Sequence, residues 1–165
     1  MGTIVDRVQL ERVLGYIESG RAEGADVHLG GRQAHPVQGG CYVEPTVFRN
    51  VRPGMHIERE EIFGPVLASV AVDDVDAAVR IANDTPYGLG AAVWTRDLSR
   101  AHKVARALRA GTVWVNTFDR SSIVTPFGGF KQSGTGRDRS MHSIEGYTNL
   151  KRSEEHTSEL QSPYV

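Results

Sequence analysis

The stretch VLASVAVDDVDAAVRIANDTPYGLGAAVWTRDLSRAHKVARALRAGTVWVN, residues 66–116, decides the fold. Three apolar runs within it, Val66–Val72, Leu89–Trp94 and Thr112–Val115, are short enough to be strands. The two segments between them repeat apolar residues at helical spacing. Strand, helix, strand, helix, strand with short connections is typical of parallel strands joined by right-handed crossovers. We therefore predict an α/β fold, a three-layer parallel sheet with helices on both faces.

The two helices of this stretch carry start and stop signals. Asp73 is the predicted N-cap of the first helix and Asp97 that of the second, because a carboxylate can accept from the first free amides. Gly111 stands where a glycine often ends a helix. The predicted buried faces are Val75, Ala78, Val79 and Ala82 in the first helix and Leu98, Ala101, Ala105 and Leu108 in the second.

The chain before this stretch predicts one more helix and short extended segments. Residues Val5–Ser19 repeat apolar side chains on one helical stripe, and Gly20 or Gly24 would end the helix. Asp26–Leu29 is a predicted strand, and residues 32–40 are a predicted loop. Tyr42–Phe48 alternates like a strand, but its internal proline restricts it to a sheet edge or an extended segment.

Composition excludes several classes of function. The 165 residues include 19 Lys and Arg against 20 Asp and Glu, a net charge of -1, so we predict no nucleic-acid or membrane partner. No apolar run is long enough for a transmembrane helix, and the first residues lack the pattern of a secretory signal. The single cysteine excludes an internal disulfide and favours a reducing cytoplasmic setting.

The sequence offers few nucleophiles or metal ligands. Cys41 begins an extended segment, where no helix N-terminus would activate its thiol, so we interpret it as structural. The six histidines are scattered, without an H-x-x-x-H pair or a cysteine partner. We therefore predict no metal site, and we assign no catalytic residue to this chain.

Two loops are better candidates for binding. The loop from Thr117 to Gly136 leaves the carboxyl end of a predicted parallel strand, where open sheets bind ligands. The other, Glu58–Pro65, is an acidic run ending in a tight turn. A carboxylate there could accept from ribose hydroxyls while an aromatic packs on a base, or the loop could be only charged with Phe63 in the core.

Four motifs resemble the C-terminal motifs of the aldehyde dehydrogenase superfamily, in the family's order. They are EEIFGPV at 60–66, YGL at 87–89, AGTVWVN at 110–116 and PFGGFKQSG at 126–134. The resemblance covers Met1 to Lys151 and implies most of that family's catalytic domain. Residues 94–102 and 136–140 look most similar to cytosolic enzymes that oxidise γ-glutamylated or free aminoaldehydes.

The resemblance implies roles for particular residues. Glu61 resembles the glutamate that binds the nicotinamide ribose, and Phe63 resembles the aromatic beside that ribose and ring. Phe127 resembles an aromatic wall of the aldehyde tunnel. The loop Asp119–Thr125, which includes Ser121, resembles the segment that shapes substrate specificity.

Asp119 keeps three possible roles at this point. Its carboxylate could pair with a cationic substrate tail, pair with Arg120, or cap a turn. The substrate aldehyde is therefore left open.

The resemblance also implies the chemistry of the whole enzyme and what is missing here. In the family, a cysteine thiolate attacks the aldehyde, hydride passes from the thiohemiacetal to NAD or NADP, and a glutamate activates the water that releases the acid from the thioester. Both residues, and the dinucleotide-binding turn, lie upstream of the segment that this chain resembles. We therefore predict that the chain alone is inactive and marginally stable, and that the full-length protein is a homo-oligomer.

Both ends of the chain carry expectations of their own. Met1-Gly2 resembles an internal Met-Gly of the family, so the chain looks like an incomplete gene product of which residues 1–151 are a partial catalytic domain. Residues 152–165 resemble the conceptual translation of a sequencing-library adapter, and we expect a non-native, disordered tail. The alternative function is a non-catalytic binding or assembly module that docks on intact homologues.

Overall fold

The computed structural model describes residues 2–35 and 39–153. The chain divides into two compact units, Met1–Thr85 and Pro86–Val165. The predicted tail lies outside the described residues from position 154 onward, as does the middle of the predicted loop 32–40.

In its described residues, the first unit combines three α-helices with five short strands. Its elements are α1 (Arg7–Ala22), β1 (Asp26–Leu29), β2 (Gln33–Ala34), β3 (Tyr42–Val43), β4 (Thr46–Arg49), α2 (His56–Arg59), β5 (Val66–Ala68) and α3 (Val75–Asn83). In one sheet the strand order is β1-β4-β5, with β1 antiparallel and β5 parallel to β4. Strands β2 and β3 form a separate antiparallel pair.

The predicted edge segment Tyr42–Phe48 is wrong in two respects. It is two strands rather than one, because the chain turns at Glu44 and Pro45, where the buried Thr46 hydroxyl donates to the Glu44 carbonyl at 2.8 Å. Moreover, β4 is the central strand of its sheet and not an edge. Pro45 precedes β4, so its missing amide costs no ladder hydrogen bond. The predicted loop 32–40 likewise contains β2.

Helix α1 supplies much of the core of this unit. The side chains of Val13 and Ile17 are 0% exposed, and so is that of Phe48 from β4. Asp6 caps the helix by accepting from the Gln9 amide at 2.8 Å. The core also contains Leu10, Ala25, Val43, Val51, Met55, Ile57 and Ile62.

Of the two glycines predicted to end α1, Gly20 and Gly24, only Gly24 lies at its end. Gly20 lies inside the helix and is buried. It packs so closely that a Cβ there would meet the Ile57 side chain at 2.8 Å. Gly24, with φ of +87°, follows the cap residue and takes the left-handed conformation expected after a helix.

Strand β5 and helix α3 differ from their predicted forms. The predicted strand Val66–Val72 is longer than β5, because its partner β4 ends at Arg49 and Asn50 then turns with φ of +55°. The N-cap of α3 is Asp74 rather than Asp73; its carboxylate accepts from the Ala77 amide. The predicted buried face of α3 is half-buried at three positions and exposed at Ala82.

The second unit begins with a parallel β-α-β arrangement. Its strands are β6 (Gly90–Val93) and β7 (Thr112–Val115), joined by α4 (Leu98–Ala107), and two 3₁₀ helices follow at Lys131–Ser133 and Met141–Tyr147. The register pairs Gly90 with Thr112 and Val93 with Val115. The α/β class, the parallel pairing of β6 with β7 and the bounds of β7 are thus confirmed. The first of the three predicted strands, β5, instead pairs with β4, in a sheet that also contains an antiparallel pair.

Helix α4 starts at the predicted cap, and its predicted buried face is confirmed except at Leu98. Asp97 accepts from the Arg100 amide at 3.0 Å. Ala101 is buried and Ala105 and Leu108 are half-buried, whereas Leu98 is 72% exposed; Val104 is buried in addition. The helix ends at Ala107 with Leu108 as its C-cap, so Gly111 is not its C′ residue.

Within residues 2–35 and 39–153, no helix is long and apolar enough to cross a membrane.

Candidate functional site

The predicted cofactor loop, residues 61–65, connects α2 to β5 and is held against α1. The side-chain amide of Gln9 donates to the carbonyl of Ile62 at 3.3 Å and to that of Phe63 at 3.1 Å. Ile62 enters the core at 7% exposure. Gly64 packs so closely that a Cβ there would meet Val13 at 2.6 Å. Side-chain packing and hydrogen bonds together therefore fix the path of this loop.

Phe63 points away from that anchored backbone. Its φ is +53°, in the left-handed region that costs a non-glycine residue about 1–2 kcal/mol, and its side chain is 76% exposed. An exposed aromatic ring in a strained and pinned backbone gains nothing for stability. The prediction that Phe63 could belong to the core is wrong. The geometry suits a ring that meets a ligand.

Glu61 is exposed two residues before that ring. Among the described residues, no group donates a hydrogen bond to its carboxylate or pairs with it. The preceding residues are anchored through Arg59, which donates to the Asp84 carboxylate at 2.7 Å and to its carbonyl at 2.6 Å. Asp84 raises the pKa of the Arg59 guanidinium by hydrogen bonding and charge. Glu61 is thus an available acceptor beside Phe63.

The predicted substrate loop in the second unit is positioned by close backbone contacts. A Cβ at Gly111 would lie 1.7 Å from the carbonyl oxygen of Gly128, and one at Gly128 would lie 2.2 Å from that of Gly136. Only glycine allows backbones to approach this closely. These contacts hold the second half of the loop against the start of β7.

The carboxyl ends of β6 and β7 are tied together where the loop begins. The side chain of Asn116 accepts from the Thr95 amide at 2.8 Å and donates to the Thr95 carbonyl at 3.0 Å. The indole of Trp114 donates to the Arg120 carbonyl at 2.6 Å and stacks on Phe118 with ring centroids 5.2 Å apart. The loop therefore leaves the predicted edge of the strands along a defined path.

Ser121 lines a groove next to Phe127, whereas neither Phe127 nor Asp119 is among the lining residues. The backbone of Phe127 exchanges two hydrogen bonds with Asp138, at 2.8 and 2.7 Å. An open cavity of about 650 Å³ lies beside this bridge. It is lined by Ser121, Ser122, Ile123, Asp138, Arg139, Ser140 and Ser143.

Two of the three roles considered for Asp119 find no support among the described residues. Its carboxylate makes no ion pair with Arg120 and accepts no hydrogen bond that would cap a turn. Asp119 is exposed and has a φ of +54°. Its availability to a ligand stays a prediction.

Cys41 is half-buried and lines a cavity in the first unit. That cavity is lined by Arg7, Leu10, Glu11, Leu14, Gln33, Gly39, Gly40 and Cys41, with no histidine among them. The carbonyl of Cys41 accepts from the Ile4 amide at 2.7 Å. This environment offers no histidine to activate a nucleophile, and its carboxylate is that of Glu11. In the part of the chain that is described, no three His, Cys, Asp or Glu side chains are grouped as metal ligands.

Sequence reasoning missed two residues of these sites. Gln9 anchors the first loop from more than 50 positions away, and no local pattern marks it. Arg139 places its guanidinium carbon 5.1 Å from the centroid of the Phe127 ring. In the sequence, residues 136–140 around Arg139 show only a likeness to the family. A cation beside a glycine-rich loop is nevertheless a local signal of a binding residue.

Comparison with known proteins identifies the family of the chain. The model of the aldehyde dehydrogenase family matches residues 1–153. The chain belongs to that family.

Among curated relatives, the betaine aldehyde dehydrogenase of Agrobacterium fabrum is 47% identical over 165 residues, which are 99% of this chain and 34% of that protein. The NADP/NAD-dependent aldehyde dehydrogenase PuuC of Escherichia coli is 46% identical over 151 residues, 92% of this chain and 30% of that protein. The chain thus spans about a third of the length of these relatives.

Solved structures of the same family share the fold. The γ-glutamyl-γ-aminobutyraldehyde dehydrogenase of Burkholderia cenocepacia is 61% identical with a TM-score of 0.87. An indole-3-acetaldehyde dehydrogenase of P. syringae, solved with NAD+ and IAA, is 55% identical with a TM-score of 0.88. Each match covers 92% of this chain and 30% of the other.

Proposed function

We propose that this chain is the C-terminal part of an enzyme that oxidises an aldehyde to a carboxylic acid with NAD or NADP. Family membership supports the reaction class, and the order of the four motifs supports the position within a protein about three times longer. The chain contributes a cofactor contact in its first unit and a substrate-binding groove in its second.

The observation that carries the cofactor contact is the pinned loop of residues 61–65. Gln9 and the core hold its backbone, while the Phe63 ring is left outside in a strained conformation and the Glu61 carboxylate has an open hydrogen-bonding capacity. A ribose offers paired hydroxyls to such a carboxylate, and a nicotinamide ring offers a flat face to such an aromatic. Bound NAD(P) would supply the hydride acceptor, and these two residues would orient it.

The substrate proposed is an aminoaldehyde. Relatives named for betaine aldehyde and for γ-glutamyl-γ-aminobutyraldehyde support this class. Ser121 lines the groove with a hydroxyl, Phe127 is bridged to the groove residue Asp138, and the Asp119 carboxylate is exposed on the same loop as Ser121.

We also propose that the full-length protein works in the cytoplasm as a homo-oligomer and that the nucleophile lies outside this chain. The half-buried Cys41, with no histidine lining its cavity, supports the last point. The alternative of a non-catalytic assembly module stays a prediction.

The cofactor contact is tested in an active chimera. Residues 1–151 of this chain replace the matched segment of the Escherichia coli relative, and the KM for NAD+ is measured for Glu61→Gln and for its matched neighbour Glu60→Gln. Because a hydrogen bond to a charged group contributes about 1.5–3 kcal/mol, Glu61→Gln should raise the KM at least tenfold. Glu60, equally exposed, should not matter.

Equal KM values for the two variants would refute the role of Glu61. A second readout uses the 165-residue chain itself: saturation-transfer NMR should show nicotinamide and ribose protons in contact with it, and the effect should fall in Phe63→Ala.

A further inference from the structure

The small cavity of the first unit, which the proposed function does not use, carries two opposite charges on its rim. Its volume is about 270 Å³, and it is bounded by the first turns of α1 and by residues 39–41. Leu10, which is 6% exposed, and the half-buried Leu14 give it an apolar surface. The exposed side chains of Arg7 and Glu11 also line it. One small space therefore offers a cation, an anion and an apolar surface.

Hydrogen bonds hold the wall of this cavity that faces α1. The Cys41 carbonyl accepts from the Ile4 amide at 2.7 Å and from the Thr3 hydroxyl at 3.0 Å. These bonds fasten the residues that lead into α1 to the opposite wall. The side-chain amide of Gln33 donates to the Gly40 carbonyl at 3.5 Å. The cavity is thus a feature of the folded unit and not a gap under one mobile side chain.

Arg7 and Glu11 do not neutralise each other, although they lie one helical turn apart. In the described part of the chain, neither side chain makes an ion pair or a hydrogen bond. Their order is unfavourable for pairing, because a carboxylate four residues before a cation pairs better than the reverse. Arg7 is also the first residue of α1, where the helix dipole opposes a cation. Neither charge is therefore placed to stabilise the helix.

We propose that this cavity binds a short amino acid in its zwitterionic form. The ligand carboxylate pairs with the Arg7 guanidinium, and the ligand ammonium group pairs with the Glu11 carboxylate. Residues four apart on a helix have Cβ atoms about 5–6 Å from each other, a distance that a few methylene groups can span. Those methylene groups then lie over Leu10 and Leu14. Pairing of a guanidinium with a carboxylate is directional and bidentate.

The ligand belongs to the same chemical class as the product of the proposed reaction. Oxidation of an aminoaldehyde adds a carboxylate to a molecule that already carries an amino group, so the product is a zwitterion. This choice of ligand rests on the proposed function, whereas the arrangement of charges does not. None of the residues that line the cavity belongs to the loop 61–65 or to the groove lined by Ser121.

The first test measures binding to the ¹⁵N-labelled 165-residue chain by NMR. The probes are four-carbon compounds: 4-aminobutanoate carries both charges, butanoate carries only the carboxylate, and butan-1-amine carries only the ammonium group. Because exposed ion pairs are weak, 4-aminobutanoate should bind about threefold more tightly than either of the others. It should shift the amides of residues 7–14 and 39–41, and high salt should reduce its advantage.

Substitutions separate the two charges of the site. Arg7→Gln should remove the advantage of 4-aminobutanoate over butan-1-amine, and Glu11→Gln should remove its advantage over butanoate. The matched control is Arg12→Gln, an exposed arginine of the same helix that does not line the cavity, which should leave all three affinities unchanged. Equal binding of the three probes, or an advantage that survives both substitutions, would overturn the proposal.

The second test separates this inference from the proposed function. Oxidation of an aminoaldehyde by the chimera, together with equal binding of the three probes by the chain, would leave the proposed function standing and contradict the zwitterion site. Preferential binding of 4-aminobutanoate by the chain, without oxidation of any aldehyde by a folded chimera, would leave the zwitterion site standing and contradict the proposed function.

Discussion

The two units hold their candidate sites by different means. In the first, the loop of residues 61–65 rests on a packed core through Ile62 and is fastened by the Gln9 side chain. In the second, the loop after β7 is positioned by close approach of glycine backbones, at Gly111 and Gly128. The first site thus depends on side-chain packing and the second on the absence of side chains.

The two units also differ in the size of their buried hydrophobic cores. Among the described residues, the buried hydrophobic side chains of the second unit are Ala101 and Val104, both small and both on α4. Large apolar side chains are exposed along the rest of that unit: Trp94, Phe118, Ile123, Val124, Met141, Tyr147 and Leu150. The marginal stability of the chain stays a prediction, and the following predictions probe the difference between the units.

The largest effect should come from the core of the first unit. Phe48→Ala removes a side chain that is 0% exposed and should reduce the free energy of unfolding by about 3–5 kcal/mol. Phe118→Ala, which removes a side chain that is 65% exposed, is the matched control and should cost less than about 1 kcal/mol. Urea unfolding followed by circular dichroism measures both. Similar losses would show that the second unit is packed as tightly as the first.

A smaller effect is expected where glycine backbones meet in the second unit. Gly111→Ala forces a methyl group onto the Gly128 carbonyl and should destabilise by about 1–3 kcal/mol. Gly146→Ala, with nothing within 4 Å of the new Cβ, should be nearly neutral. Amide shifts in residues 127–138 should change only in the first variant. An undisturbed loop in Gly111→Ala would contradict the close approach.

The Gln9 side chain, which anchors the cofactor loop, should contribute about 1 kcal/mol to the stability of that loop, the usual net value of a hydrogen bond. Gln9→Ala removes both donations to that loop, so the Val66 amide, which donates to the Gly64 carbonyl at 2.8 Å, should exchange faster with solvent. Glu11→Gln changes an exposed neighbour on the same helix and should leave that exchange rate unchanged. Unchanged exchange in Gln9→Ala would mean that packing alone holds the loop.

The smallest effect concerns the strained ring. Phe63→Gly removes the strain of the left-handed conformation, but glycine loses more backbone entropy on folding. Because the two effects oppose each other, the free energy of unfolding should stay unchanged or rise by up to about 1 kcal/mol. Phe63→Ala keeps the strain and should be neutral. Both variants should nevertheless weaken NAD+ binding in the chimera. A large loss of stability in either would place Phe63 in the fold rather than at a ligand.

The sequence predicts best where one local signal decides the structure. The start of α4 and the bounds of β7 follow from Asp97 and from a short apolar run, and both are confirmed. The division of Tyr42–Phe48 into two strands depends on hydrogen bonds of Thr46, and the end of β5 depends on where β4 stops. Such non-local partners are invisible to a pattern along the chain.

The candidate sites show the same division. Glu61, Phe63 and Phe127 are predicted because they lie within motifs, and Ser121 because it lies in a loop that resembles the family's specificity segment. Arg139 is not predicted as a neighbour of Phe127, because the bridge between Phe127 and Asp138 brings together segments that are separate in sequence. The exposure of Phe63 could not be predicted either, since it follows from the Gln9 anchor and a positive φ.

The central claim is that this chain carries a cofactor contact and a substrate groove but not the attacking sulfur. The most direct test is NADH formation by the purified 165-residue chain with NAD+ and an aminoaldehyde, beside a Cys41→Ala control. We predict no aldehyde-dependent NADH in either sample. Turnover by the unmodified chain that disappears in Cys41→Ala would contradict the account.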